Sequence, residues 1–167
     1  MKKPFLFLVT LLSVSSFCFS QKHQQRTAAF YEYKTECLGV ELDGSQTLKA
    51  WGNGRNRADA CEQAKKNAVR DVVFFGIKSG KSDCNSNPLI YEVNAQDKYQ
   101  DYFNKFFTDG GDYKNFVNVK DEKIMDKISR DKKKTAESVT HGMVVRVLRS
   151  ELKKKLIADG IIKTNNQ

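Results

Sequence analysis

The chain has 167 residues, 40% of them hydrophobic, and its 29 Lys and Arg against 20 Asp and Glu give a formal net charge of +9. This length suits one domain of ordinary size, and the positive charge favours acidic partners such as an envelope polymer, a lipid headgroup or a protein. The two histidines and four cysteines do not have the spacings that a zinc site requires. The sequence therefore excludes a zinc site and predicts neither a metal nor a cofactor.

Residues 1–20 have the pattern of a cleavable signal peptide. Two lysines follow Met1, residues 5–12 are apolar, and the small residues Cys18 and Ser20 precede the polar Gln21. This pattern predicts cleavage before Gln21, which leaves about 147 residues with a net charge of about +7. The apolar block is shorter than the roughly 20 residues that span a bilayer, so no transmembrane anchor is expected.

The leader predicts an exported protein that is periplasmic, secreted or associated with the outer membrane. Nucleic acid is not an expected partner in any of these places. A second hypothesis stays open for Cys18, because a cysteine at the end of an apolar leader can be the lipidated first residue of a bacterial lipoprotein. Phe17 favours the cleaved form, since the residue before a lipidated cysteine is normally small.

Three cysteines, Cys37, Cys61 and Cys84, remain after cleavage. An oxidising compartment favours one disulfide and one leftover thiol. Cys61 lies at helical spacing with apolar residues, where a free cysteine behaves as a small hydrophobe. We therefore predict a Cys37–Cys84 disulfide; three unpaired thiols are the alternative.

The polar residues 21–30 are predicted to be a disordered lead-in to one domain, residues 31–163, with a frayed tail at 164–167. Alternating apolar residues predict a strand over residues 33–42 and a second over 46–51, which together form a hairpin. A three-residue loop with Gly44 in the left-handed conformation places four apolar side chains on one face. These are Leu38, Val40, Leu48 and Ala50.

Residues 55–75 are predicted to form a long helix that ends at Gly76. Its apolar stripe consists of Cys61, Ala64, Ala68, Val72 and Phe75. A loop over residues 77–88 follows, and Asn94 is predicted to cap a helix over residues 95–108. Aromatic residues at helical spacing form the expected core face of this helix: Tyr99, Tyr102, Phe103, Phe106 and Phe107.

In the last third, residues 116–119 are predicted to be extended, residues 124–129 are ambiguous, and residues 131–134 are expected to form a charged tip. A strand over residues 139–148 directs Val139, Met143, Val145 and Val147 to one face. Ser150 is predicted to cap a final helix with Leu152 and Leu156 inside, closed by Gly160. The expected fold is α+β, an antiparallel or mixed sheet with an N-terminal hairpin and helices packed on one face.

Two groups of residues suggest anion binding. The turn of Gly52, Asn53 and Gly54 lies between a strand and a helix, and Arg55 and Arg57 follow it. A helix N-terminus attracts anions, although Arg57 occupies the position of the third glycine in a dinucleotide-binding loop, so that fingerprint is incomplete. The second group is Lys132, Lys133 and Lys134, which is also typical of a solvated turn that discourages edge pairing.

His141 is the one histidine outside the lead-in, so a secreted hydrolase would have to use it as the base. No Gly-x-Ser-x-Gly motif accompanies it, and its register with Val139 and Met143 favours a packed side chain. We therefore assign no catalytic residue. The expected function is that of a non-enzymatic envelope domain that binds a protein or an acidic surface polymer, with the hydrolase as the alternative.

Residues 48–54, with the letters LKAWGNG, lead into a helix with alanines at positions 58, 60, 64 and 68. This stretch resembles a module of small bacterial envelope proteins, in which a strand ends in a glycine turn before an alanine-striped helix. The N-terminal domain of flagellar assembly protein T and related outer-membrane lipoproteins contain such a module, and residues 144–161 are similar to it as well. The resemblance implies an accessory or assembly role and transfers no catalytic residue.

Overall fold

A mixed six-stranded sheet lies at the centre of the computed structural model, which describes residues 34–119, 133–134 and 138–163. The strands are β1 (Glu36–Val40), β2 (Gln46–Gly54), β3 (Ser79–Gly80), β4 (Val117–Val119), β5 (Lys133–Lys134) and β6 (Val139–Val147). Their order across the sheet is β3-β1-β2-β6-β4, and β5 also pairs with β6. Only the β1–β3 pair among these is parallel.

The helices contribute to the same core cluster as the sheet. They are α1 (Arg57–Arg70), which continues into a π-helical turn (Asp71–Phe75), α2 (Ala95–Lys98), α3 (Gln100–Phe106), a 3-10 turn (Asp112–Phe116) and α4 (Arg149–Ala158). Leu152 and Leu156 of α4 are fully buried with Leu48 of β2 and Val145 of β6. The predicted α+β class is therefore confirmed, and the sheet is of the mixed kind.

The first hairpin closes as predicted. The Glu41 N–H donates to the Ser45 carbonyl at 2.9 Å, and the Gly44 N–H donates to the Glu41 carbonyl at 2.9 Å. Gly44 has a φ of 77°, the left-handed conformation that completes a three-residue loop. Leu48 and Ala50 of β2 consequently face the core with 0% exposure.

The predicted inner face of β1 is wrong at Leu38, whereas Val40 pairs with Gln46 and lies on the predicted face. A β-bulge lies between Cys37 and Gly39, and Cys37 rather than Leu38 pairs with Leu48. An extra residue in one strand reverses the side to which the preceding side chains point. Cys37 is therefore 1% exposed, whereas Val40 at the end of the strand is 40% exposed.

The α1 helix approaches β2 closely because two strand residues have no side chain. A Cβ atom on Gly52 would lie 2.1 Å from the Ala60 carbonyl oxygen and 2.3 Å from the Ala64 nitrogen. A Cβ atom on Gly54 would lie 2.5 Å from the Ala60 nitrogen. These glycines thus allow the helix backbone to lie directly on the strand.

The end of the long helix differs from the prediction in one respect. Ala64, Ala68 and Val72 are fully buried as expected, but Phe75 is 56% exposed. The last turn is π-helical, with the Gly76 N–H donating to the Asp71 carbonyl five residues earlier. The wider turn rotates the following residues about the axis, so Val73 is buried and Phe75 faces outward.

The aromatic helix is broken into two short pieces at Tyr99, and Asn94 makes no side-chain capping bond, contrary to the prediction. The aromatic face is nevertheless the core face, as predicted. Phe103 and Phe106 are buried, and the other three aromatic residues pack against them partly buried. Phe103 meets Phe74 of the π-helical turn edge to face, with ring centroids 4.7 Å apart.

The final helix begins two residues earlier than predicted. Leu148 occupies the N-terminal cap position and Ser150 lies inside the first turn, so the predicted cap at Ser150 is wrong. The chain passes directly from β6 into α4, and the Leu148 N–H donates to the Phe116 carbonyl at 2.9 Å. Gly160 closes the helix with a φ of 74°, as expected.

Several predictions fall outside the described residues: the signal peptide at 1–20, the lead-in at 21–30, the ambiguous segment at 124–129 and the tail at 164–167. The expected charged tip is described only at Lys133 and Lys134, which form strand β5 instead of a turn. They pair with Thr140 and Val139 at the edge of β6, and this edge offers the backbone hydrogen-bonding groups that favour an extended conformation.

Candidate functional site: a basic corner of the sheet

Two basic groups that are far apart in the sequence meet at one end of the sheet. Gly54 of β2 pairs with Val139 of β6, which pairs in turn with Lys134 of β5. The next row joins Asn53, Thr140 and Lys133 in the same way. Since neighbouring strands lie about 4.8 Å apart, the backbone of Lys134 lies about 10 Å from that of Gly54.

Arg55 and Arg57 extend this end of the sheet, because they lie between the end of β2 and the first turn of α1. We call the set Arg55, Arg57, Lys133 and Lys134 the basic corner. These four are the basic residues of the predicted anion-binding set that the structure describes. Lys132, also predicted, lies outside the described residues. The fold therefore brings the two predicted groups to the same end of the sheet, although they are about 80 residues apart in the chain and no local pattern links them.

The first turn of α1 already contains an acidic side chain. The Asn56 side chain accepts a hydrogen bond from the Asp59 N–H at 3.0 Å. The Asp59 carboxylate forms an ion pair with Arg55 at 3.2 Å, and the Arg55 side chain is 91% exposed. A surface pair of this kind contributes little stability, so Arg55 can exchange Asp59 for another anion. Arg57 is exposed.

Polar side chains order the strand ends beside the corner. The Asn53 amide donates to the Thr140 hydroxyl at 3.0 Å and to the Ser138 hydroxyl at 3.3 Å. These bonds join the end of β2 to the start of β6. The two bonds span 85 and 87 positions, so no local pattern in the sequence predicts them.

Gly52 and Gly54 have a packing role in the structure that is independent of any ligand. Both lie in strand β2 rather than in a loop, and both are in contact with the backbone of α1 around Ala60. The glycine pattern that suggested a phosphate-binding turn is thus explained by the close approach of a helix to a strand. Whether an anion also binds there stays a prediction.

His141 lies within β6 on the face that packs against α1, opposite Gly52. Its side chain has 0% exposure. A general base must come within hydrogen-bonding reach of a substrate proton, and a fully buried imidazole does not line an open cleft. Among the residues that the structure describes, no group of three or more His, Cys, Asp or Glu side chains could hold a metal ion.

A carboxylate with a lowered pKa belongs to a polar network between α1 and the 3-10 turn. Burial raises the pKa of Glu62, but hydrogen bonds from Tyr113, Lys65 and Lys114 outweigh burial and hold the pKa at about 2. The same contact and burial raise the pKa of the Tyr113 hydroxyl, so it stays protonated as the donor. Tyr113 is fully buried, so this network anchors the 3-10 turn to α1.

The predicted pairing of Cys37 with Cys84 is present, with their sulfur atoms 2.03 Å apart. The bridge fastens the loop after β3 to β1, and the Lys81 N–H also donates to the Cys37 carbonyl at 2.9 Å. Cys61 is a free thiol and half-buried, as expected of the leftover cysteine. The described part of the chain therefore carries one oxidised pair and one thiol.

No protein-family model, no curated protein and no solved structure matches this chain. The resemblance to the flagellar assembly protein T module therefore stays a prediction. Within residues 34–119, 133–134 and 138–163, none of the helices has the length and apolar character needed to cross a membrane.

Proposed function

We propose that this protein is an exported, non-enzymatic domain of the bacterial envelope that binds an acidic surface polymer through its basic corner. The observation that carries the proposal is the convergence of Arg55, Arg57, Lys133 and Lys134 at one end of the sheet. The backbone positions of Gly54 and Lys134 lie about 10 Å apart across the sheet, and a group of positive charges spread over such a distance suits the repeated negative charges of a polyanion better than a single small anion. An acidic protein surface would engage the same charges.

Export is supported by two observations that do not depend on the corner. Residues 1–20 have the signal-peptide pattern, and Cys37 and Cys84 lie at disulfide distance. Disulfides persist mainly outside the reducing cytoplasm. The resemblance to envelope accessory proteins is consistent with the same location outside the cytoplasm.

The hydrolase alternative receives no support that would justify carrying it further. It requires an accessible base, and the imidazole of His141 is fully buried. A buried histidine in register with core residues is consistent with a structural role.

Salt-dependent binding to defined polyanions tests the proposal. Linear polyphosphate and polygalacturonate present phosphate and carboxylate groups, and both should bind the wild-type domain more weakly as salt is raised, because salt screens exposed charges. Replacing Arg55, Arg57, Lys133 and Lys134 together by Gln should weaken binding at least about fivefold, a change of about 1 kcal/mol.

A matched control removes four exposed charges elsewhere. Lys78, Lys81, Lys105 and Lys153 are exposed, and their replacement by Gln gives the same change in net charge. This control should bind within about twofold of the wild type. Equal losses in both variants would mean that overall charge, and not the basic corner, attracts the polymer, and salt-independent binding would contradict the proposal outright.

A further inference from the structure

A buried polar site lies at the opposite end of the sheet from the basic corner, where the hairpin, the start of α4 and the disulfide-bonded loop meet. Gln46 is the first residue of β2 and pairs with Val147, two residues before Arg149 at the start of α4. The Gln46 side chain has 0% exposure. It therefore places an amide, with both donor and acceptor capacity, inside the core.

The amide nitrogen of Gln46 has a hydrogen-bond partner, whereas the amide oxygen has none among the described residues. The Gln46 Nε2 donates to the carbonyl oxygen of Asn85 at 3.1 Å. The Gln46 Oε1 is buried without a hydrogen-bond partner among the described residues. Exchanging the two ends of the amide would bring Oε1 against the Asn85 carbonyl, and two acceptors cannot bond to each other. The acceptor must therefore point away from the loop.

A matching donor at the start of α4 is bound to the same loop. The Arg149 Nη2 donates to the Asn87 carbonyl at 2.8 Å, while the Nη1 of the same guanidinium is buried without a partner in the described part of the chain. Burial lowers the pKa of Arg149, which is consistent with incomplete solvation of the guanidinium. Asn85 and Asn87 are two residues apart, so their Cα atoms are separated by at most about 7 Å.

The chemistry of the two atoms restricts what can join them. A cation would be repelled by the guanidinium, and an anion would face the lone pairs of Gln46 Oε1. A neutral molecule that both donates and accepts satisfies both atoms, and water at the usual hydrogen-bond length of about 2.8 Å bridges atoms about 5.5 Å apart. We propose that one structural water molecule binds between Gln46 Oε1 and Arg149 Nη1.

Such a water would connect three parts of the chain. It would join the start of β2 to the start of α4, and both side chains are bound to the loop that Cys84 fastens to β1. The Asn87 N–H is held by the Asn85 side chain at 3.0 Å, which fixes the turn that presents the two carbonyls. Buried waters at such junctions are integral parts of a structure and cost stability when removed.

A crystal structure of the whole protein at better than about 1.5 Å tests the site directly. The expected result is a fully occupied water peak within about 3.2 Å of both Gln46 Oε1 and Arg149 Nη1. A direct bond between the two side chains, an empty site, or density that refines as an ion would each overturn the proposal.

A solution experiment provides an independent check. In the wild type, the Arg149 guanidinium protons should show a magnetisation-transfer cross-peak to bound water. The Gln46→Met variant has no comparable acceptor, so this cross-peak should disappear, while the Gln63→Met control, on the outer part of α1, should retain it. An unchanged cross-peak in Gln46→Met would contradict the bridge, and the wild-type crystal structure decides the matter if that variant does not fold.

Discussion

Substitution of Gly52 by Ala tests the claim that the glycines of β2 exist to bring α1 onto the sheet. The added Cβ would lie 2.1 Å from the Ala60 carbonyl oxygen and 2.3 Å from the Ala64 nitrogen. Both are backbone atoms, so no side chain can rotate away. Strand and helix must separate by about 1 Å to restore contact distances near 3.3 Å, and a gap of that size forfeits a quarter to a half of the attraction between the packed surfaces.

The surfaces concerned include Leu48, Ala50 and Ala64, all with 0% exposure. Overpacking a core ordinarily costs about 1–3 kcal/mol. A clash with backbone atoms should cost at least the upper value of this range, because backbone atoms cannot rotate away. We expect Gly52→Ala to lower the free energy of unfolding by about 3 kcal/mol, or Tm by roughly 10 °C. Urea denaturation followed by far-ultraviolet circular dichroism measures the change.

Gly110→Ala is the matched control. A Cβ there meets nothing within 4 Å, so only the left-handed φ of 83° opposes the change, at about 1–2 kcal/mol. A loss below 1 kcal/mol for Gly52→Ala would refute the packing explanation. It would also restore the turn as a candidate for a dedicated anion-binding loop.

Two further predictions concern the disulfide and the loss of stability at acidic pH. Replacing Cys37 and Cys84 by Ala should lower the free energy of unfolding by up to about 4 kcal/mol, because the bridge closes a loop with a sequence separation of 47. Urea denaturation of the wild type and the double variant measures this difference, and equal midpoints would contradict it. The pKa of Glu62 is lowered from 4.5 to about 2 in the folded protein, so its contribution is present above pH 4.5 and is lost as the pH falls towards 2. Between pH 6 and pH 3 the wild type should lose about 2 kcal/mol more stability than Glu62→Gln, and parallel curves for the two proteins would show that the Tyr113 contact is not formed in solution.

Local signals in the sequence were sufficient for much of the fold. The Asp43-Gly44 turn determines the length of the hairpin loop, and the alternation of Leu48 and Ala50 identifies the buried face of β2. Gly76 and Gly160 mark two chain positions where left-handed backbone is needed after a helix. Each of these features depends on residues within a few positions of one another, which is why sequence patterns detect them.

The errors arose where contacts distant in the sequence decided the outcome. The bulge at Leu38 reverses the face of β1, and the π-helical turn rotates Phe75 outward, although no local pattern distinguishes either from a regular element. Ser150 has the chemistry of a helix cap, but the chain enters α4 directly from β6. In each case the packing of neighbouring elements overrides a weak local preference.

The residues of the candidate site could be predicted from the sequence, but their proximity in the fold could not. Arg55, Arg57 and the lysine run are visible as basic groups in the sequence. Their meeting depends on the pairing of β2, β6 and β5, which joins positions about 80 residues apart. Gln46 and Arg149 gave no signal at all, because neither a single glutamine in a strand nor an arginine near a helix start has a distinctive pattern.

The intact mass of the protein isolated from its native cells shows whether this domain works outside the cytoplasm as an oxidised, processed protein. We expect a chain that begins at Gln21, with one disulfide and a single thiol, that of Cys61, reactive under denaturing conditions. A chain that still begins at Met1 with all four cysteines reduced would contradict the export, the disulfide and the proposed choice of partner together.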